Sequence, residues 1–249
     1  MSVGETSASA TAGRAIPIVA LDVASADAAL TLARTLGARC RFYKVGSELF
    51  TVAGPAVVAA LRDELGADVF LDLKFHDIPN TVAAAVRSAA RMGARLLTVH
   101  ASGGAPMLEA AQKAAQDARG DGCGVLAVTV LTSLDRGALA ASWGRTDALE
   151  MELEVLRLAA QAEHAGLHGI VCSGAEVQAV RARFGDRLAP LVPGIRLAGG
   201  EAHDQRRVMT PGAAQAAGAR YLVLGRAVTA ATDPAAAMNR VLEELRQER

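Results

Sequence analysis

A closed barrel of eight parallel strands, each followed by a helix, is the architecture this sequence predicts, on three observations. Short apolar runs alternate with segments of helical periodicity along the whole chain. The tetrads Leu36-Gly-Ala-Arg, Leu65-Gly-Ala-Asp, Met92-Gly-Ala-Arg and Ala217-Gly-Ala-Arg each stand between a helical segment and the next apolar run. The early ones recur at roughly thirty residues, the size of one strand–helix unit. Finally, 249 residues that are 51% hydrophobic suffice for one large core. The prediction is an α/β protein, a (β/α)8 TIM barrel in a single domain over residues 15–249, behind a flexible N-terminal tail at residues 1–14. An open doubly wound sheet is the competing architecture. It calls for a glycine-rich fingerprint after the first strand, where this chain has Asp22-Val-Ala-Ser-Ala-Asp27.

In chain order, residues 16–23 (IPIVALDV) form the first strand, with Asp22 at its end. Ser25 caps a helix that Gly37 terminates. Residues 41–47 form the second strand, carrying Lys44, and a helix over residues 57–65 closes at Gly66. The third strand opens at Val69, and its helix, residues 81–92, closes at Gly93. Residues 96–100 are the fourth strand, Pro106 starts the next helix, and residues 124–131 are the fifth. A longer segment, residues 133–146, holds the single Trp, Trp143, before a helix over 149–165. Residues 169–172 and 190–195 are the sixth and seventh strands, with a helix from Ala175 between them. Residues 197–207, rich in Gly and charge, read as a mobile loop and 211–217 as a helix. The eighth strand is 221–224, and Asp233-Pro234 opens the final helix.

Composition narrows the function classes. Lys plus Arg and Asp plus Glu both number 26, so no global basic field favours nucleic acid or an anionic membrane. Cys40, Cys123 and Cys172 lie far apart, without zinc spacing, and fit buried thiols in a reducing cytoplasm. The N-terminus lacks a charged segment followed by an apolar one, and no apolar run is long enough to span a bilayer.

Catalytic groups in such barrels sit at the C-terminal ends of the strands. The polar residues at those positions are Asp22, Lys44, Asp72, Lys74, His100, Thr132, Ser173, Arg196 and Arg226. They divide into a charged cluster from the first three strands and two arginines from the last two. The loops after the seventh and eighth strands are the usual phosphate site, and Gly225 lets backbone N–H groups approach an anion. Either arginine alone also fits a solvated strand end; the two together favour phosphate.

Residues 69–82 (VFLDLKFHDIPNTV) anchor the charged cluster. Strand alternation places Asp72 and Lys74 on one face and Leu73 on the other, with Asp77 just beyond, at the turn. Charges there carry a desolvation penalty unless paired, a penalty met more often at active sites than elsewhere. With Lys44 on the neighbouring strand they can alternate in sign. Each opposite pair at about 4 Å and an effective dielectric near 20 attracts by roughly 4 kcal/mol. A structural ion-pair network at the barrel mouth is the other reading of the same residues. His76 and His100 fit hydrogen-bonded structural roles, and His164 and His168, astride Gly166, make a poor metal pair.

The pattern Asp72-x-Lys74-x-x-Asp77-Ile78-x-x-Thr81 resembles the signature of the orotidine 5′-phosphate decarboxylase family. So, more weakly, do Leu21-Asp22, Lys44-Val-Gly, Val130-Leu-Thr-Ser133, Pro193-Gly-Ile-Arg196 and Gly225-Arg226, which fall in the same order. The resemblance implies cofactor- and metal-independent decarboxylation of orotidine 5′-monophosphate to UMP. In it, Lys74 faces C6 of the pyrimidine, stabilises the carbanion and returns the proton. Asp72 and Lys44 hold Lys74 in an array. Asp77 and Thr81 are contributed across a homodimer interface, beside Ile78. Asp22 binds a ribose hydroxyl, Thr132 meets the pyrimidine beside Pro193, and Gln205 reaches between phosphate and base. Arg226, with Gly225 and Arg196, holds the phosphate. Related metal-dependent phosphosugar barrels share the Asp-x-Lys pair but use an acidic ligand from the second strand, where this chain has Lys44. A non-catalytic phosphate-binding scaffold would need no charged array.

Overall fold

The computed structural model describes residues 13–146, 149–197 and 209–247. Eight parallel strands close into a barrel in sequence order, as predicted. They are β1 (Ile16–Ala20), β2 (Phe42–Gly46), β3 (Asp68–Phe75), β4 (Leu96–His100), β5 (Gly124–Val128), β6 (Gly169–Val171), β7 (Ala189–Val192) and β8 (Tyr221–Leu224). Closure is made by β8 against β1, in the register Ile16 opposite Tyr221 through Val19 opposite Leu224. The principal outer helices are α1 (Ala26–Leu36), α3 (Pro55–Asp63), α4 (Pro79–Arg91), α5 (Ala105–Arg119), α7 (Met151–His164), α8 (Val177–Phe184), α9 (Pro211–Ala216) and α11 (Pro234–Gln247).

Local chemistry explains the boundaries. Ser25 accepts a hydrogen bond from the Ala28 N–H and starts α1, while Pro79 and Pro234 occupy first-turn positions where no N–H is needed. The tetrad glycines Gly37, Gly66, Gly93 and Gly218 all have positive φ, between 53° and 100°. That left-handed conformation turns each helix end toward the next strand, which is why the tetrad recurs. α4 begins two residues before the predicted Thr81, because Pro79 fits the first turn.

Three short helices lie where none was predicted: α2 (Ser47–Ala53), α6 (Arg136–Ser142) inside the long segment after β5, and α10 (Arg226–Thr229) after β8. Strands β1, β5 and β7 also end earlier than their apolar runs. Beyond β7 the chain makes one isolated bridge, Ile195 to Met209. The expected N-terminal tail and the 197–207 loop, with Gln205, lie outside the described residues save for Gly13, Arg14 and Leu197.

Apolar side chains form two bodies. The larger fills the space between barrel and helices. The smaller fills the lumen with Ile18, Ala20, Phe42, Phe70, Leu96, Leu126, Leu191, Tyr221 and Val223. Strand period two decides which residues face inward. Carried two residues further along, the same parity brings Asp22, Lys44, Asp72, Pro193 and Gly225 to the mouth. Cys40, Cys123 and Cys172 are buried, and none is in a disulfide. Among the described residues no helix is long and apolar enough to cross a membrane.

Candidate active site

A pocket of about 540 Å³ opens at the C-terminal ends of the strands. Its apolar base is built from lumen residues, including Ala20, Phe70, Val128, Val171, Leu191 and Val223. Above them stand Asp22, Lys44, Asp72, Lys74, Thr132, Pro193, Arg196, Gly225 and Arg226. Of the site residues the sequence nominates, these nine converge. Asp77, Ile78 and Thr81 do not line the pocket of their own chain; all three are exposed on the β3–α4 turn and the first turn of α4. Asp77 there accepts a 2.6 Å bond from the N–H of Ile78. Gln205 lies outside the described residues.

The charges alternate as expected, and Asp22 joins the array. Lys44 Nζ donates to Asp22 Oδ1 at 2.7 Å and lies 3.9 Å from Asp72 Oδ2. Lys74 Nζ sits 2.9 Å from both oxygens of Asp72. The inner members are the dry ones: the Lys44 and Asp72 side chains are 10% and 14% exposed, against 57% for Asp22 and 37% for Lys74. Lys74 thus presents an ammonium to the cavity while a partly buried carboxylate fixes its direction. Gly46 leaves room for the array, since a Cβ there would lie 2.8 Å from Lys44 Nζ and 3.3 Å from Asp22 Oδ1.

The backbone beneath Lys74 is not a regular strand. Lys74 has φ 51°, and among the described residues it is the one non-glycine in the left-handed region. The register of β3 on β4 shifts between Leu71 and Phe75. Simple alternation predicted a shared face for Asp72 and Lys74; the pair does meet in the pocket, but through a bulge. Sequence reasoning missed the residue opposite that bulge, Thr98, fully buried on β4. Its signal was a polar residue at the inward position between Leu96 and His100.

Half-way round the ring from β3, the loops after β7 and β8 bring Arg196 and Arg226 to the pocket. Arg196 is only 8% exposed. Its Nη1 donates to the Ile195 carbonyl at 2.9 Å, and its buried Nε has no hydrogen-bond partner among the described residues. Burial, followed by the like charge of Arg226, pulls its pKa below the ordinary arginine value. A Cβ on Gly225 would meet nothing within 4 Å, so the glycine keeps open space beside the two cations. At the end of β4, the His100 ring meets that of His76 at a tilt, with ring centroids 5.3 Å apart. Burial first, then His76 and Lys74, lower its pKa. Among the described residues no group of three or more His, Cys, Asp or Glu side chains is placed to hold a metal ion.

The class that fold and site define is a (β/α)8 barrel with a lysine ammonium on one side of its pocket and two arginines on the other. Known proteins narrow that class to one family. The model of the orotidine 5′-phosphate decarboxylase / HUMPS family matches residues 16–241, and the chain belongs to that family. The orotidine 5′-phosphate decarboxylases of Chromohalobacter salexigens and Dichelobacter nodosus are 49% and 50% identical to it. Each match covers 92% of this chain, and 94% and 97% of the relative. The crystal structure of orotidine 5′-phosphate decarboxylase from Lactobacillus acidophilus superposes with a TM-score of 0.81 at 36% identity, covering 93% of this chain and 99% of that one. An uncharacterized conserved protein from Geobacillus kaustophilus superposes at 0.78 and 37% identity, covering 92% and 99%. The protein is an enzyme whose named relatives are carboxy-lyases.

Proposed function

We propose that this enzyme decarboxylates orotidine 5′-monophosphate to UMP and carbon dioxide without metal or cofactor, as a cytoplasmic step of pyrimidine nucleotide synthesis. The observation that carries the reading is the Lys74 ammonium. It is held by both oxygens of Asp72 and faces a pocket of about 540 Å³ whose far side holds Arg196 and Arg226.

The chemistry follows from charge placement. The bond from C6 to its carboxylate breaks, carbon dioxide leaves, and the electron pair stays at C6. That pair lies in the ring plane, where ring delocalisation does not stabilise it. A fixed cation beside C6 stabilises it as it forms, in an apolar setting where the interaction is strong. Lys74 then gives one proton from Nζ to C6 and recovers one from solvent. Lys44 and Asp72 maintain the alternating field, and Asp22 serves the ribose. Thr132 and Pro193 meet the base, and Arg226 with Gly225 and Arg196 binds the phosphate. Gln205 reaches between phosphate and base, a role that rests on the family resemblance alone.

Asp77 and Thr81 complete the neighbouring site in a homodimer. Support comes from their exposure outside their own pocket and from the exposed apolar side chain between them, Ile78 at 67%. Lys44 at the second-strand position argues against the metal-dependent alternative. The test is an absorbance assay of purified protein with orotidine 5′-monophosphate in the presence and absence of EDTA. Turnover unaffected by chelator is expected; turnover abolished by it, or none in either condition, overturns the reading.

A further inference from the structure

We infer that Thr98, which lies outside the pocket wall, is a positioning residue that sets the geometry of Lys74 and Asp72; its kinetic consequence rests on the decarboxylase reading above. Between its last regular partners, β3 advances four residues, Leu71 to Phe75, while β4 advances two, Leu97 to Val99. Asp72, Leu73 and Lys74 therefore stand across from Thr98 alone. A bulge of that size breaks the ladder and leaves backbone groups without their usual carbonyl partners.

The Thr98 hydroxyl repairs the break with one atom used twice. Its Oγ1 accepts the Lys74 backbone N–H at 2.9 Å and donates its own proton to Asp72 Oδ1 at 2.9 Å. A hydroxyl has a single hydrogen, so the direction of both bonds is fixed once a carboxylate accepts it. The same Asp72 Oδ1 also receives Lys74 Nζ. Thr98 thus closes a small ring of polar contacts that runs from the lysine backbone through the hydroxyl and carboxylate back to the lysine ammonium. Lys74 holds φ 51°, a conformation that L side chains disfavour and that persists only where neighbours over-determine it. The fully buried hydroxyl is such a neighbour. Because Thr98 does not line the pocket, its effect on turnover passes through the two residues it holds.

The test compares Thr98→Val, which keeps the shape and removes the hydroxyl, with Thr98→Ser, which keeps the hydroxyl and removes the methyl. With orotidine 5′-monophosphate, Thr98→Val is expected to lower kcat by about 10- to 100-fold, the worth of a hydrogen bond to a charged group. KM should change by less than about threefold, and Thr98→Ser should restore kcat to within about threefold of the parent. A packing role predicts the reverse ranking. A parental kcat in Thr98→Val, a loss confined to KM, or an equal loss of kcat in Thr98→Ser overturns the inference. If Thr98→Val does not fold, Thr98→Ala and Thr98→Ser form the same pair. A crystal structure of the hydroxyl-free variant judges the proposal without any substrate. Lys74 should leave the left-handed region or Asp72 should rotate away, and an unchanged Lys74–Asp72 pair overturns it. Parent enzyme that fails to turn over the nucleotide condemns the function proposed above, and the crystal structure still decides the part played by Thr98.

Discussion

At the floor of the barrel Phe42 meets Tyr221 edge to face, with centroids 6.4 Å apart, and the Tyr221 hydroxyl lies 2.9 Å from His168 Nε2. Two residues further along β2, on the same inward face, Phe42 gives way to Lys44, whose ammonium binds Asp22. On β8 the same step runs from Tyr221 through Val223 to Gly225 beside Arg226. One set of inward positions therefore supplies a ring-packed plug at one end and an ionic site at the other. The plug makes the ionic end useful, because an apolar base under the charges keeps their interactions from being diluted by water. The two ends should fail differently when altered: the mouth in turnover, the floor in stability.

Lys74→Ala gives the largest expected effect and the sharpest version of that contrast. On the proposed mechanism turnover should fall by roughly 10⁴-fold or more, since both charge stabilisation and proton return would be lost. UMP binding by titration calorimetry and the melting temperature should stay near parental. A variant that turns over at a tenth of the parental rate would remove Lys74 from the mechanism. Phe42→Ala, at the other end, should destabilise the fold by about 3–5 kcal/mol in urea titration. The fraction that remains folded should keep kcat within about threefold; a specific loss of turnover would break the division between the ends.

Arg226→Ala should reduce kcat/KM on the nucleotide by roughly 100-fold. On orotidine, which has no phosphate, the loss should be small. Equal losses on both substrates would show that Arg226 acts on the reacting end of the molecule. The smallest effect concerns pH. Burial, with Arg95 and Arg220 nearby, holds the His168 pKa below its ordinary 6.5. The unfolded chain therefore binds the proton more readily than the native one, so this residue withdraws stability as pH falls below 6.5 toward the native value. In His168→Gln the melting temperature should drop less between pH 7.5 and 5.5 than in the parent. Parallel curves would show that His168 is indifferent to folding.

Much of this architecture is legible in the residues because its signals are periodic. β4 and β8 match their apolar runs residue for residue, and the tetrad glycines mark four helix ends through a conformation that other residues resist. The missed helices lack such signals. α2 starts directly at the end of β2 with Gly46 and no side-chain cap, and its apolar and β-branched residues read as strand or loop. α6 has a real cap, Asp135 accepting from the Ala138 N–H, but is only two turns long. In the site, parity was enough to gather Lys44, Asp72 and Lys74. It did not reveal that Asp22 pairs with Lys44, because alternation gives a side chain's face and not its partner. Nor did it reveal the bulge, which depends on how β3 and β4 slide past each other. Asp77, Ile78 and Thr81 were legible as a motif, yet their own pocket does not contain them.

The irregular backbone at Lys74 bears on any attempt to transplant this chemistry. A designer who copied Asp-x-Lys onto an ordinary strand of another barrel would transfer the letters and lose the geometry. What must travel is a pair of adjacent strands of unequal local length, with a hydroxyl-bearing residue on the shorter one. The graftable unit is thus a mismatch between neighbours, and a recipient scaffold should be chosen for its tolerance of that mismatch before any side chain is changed.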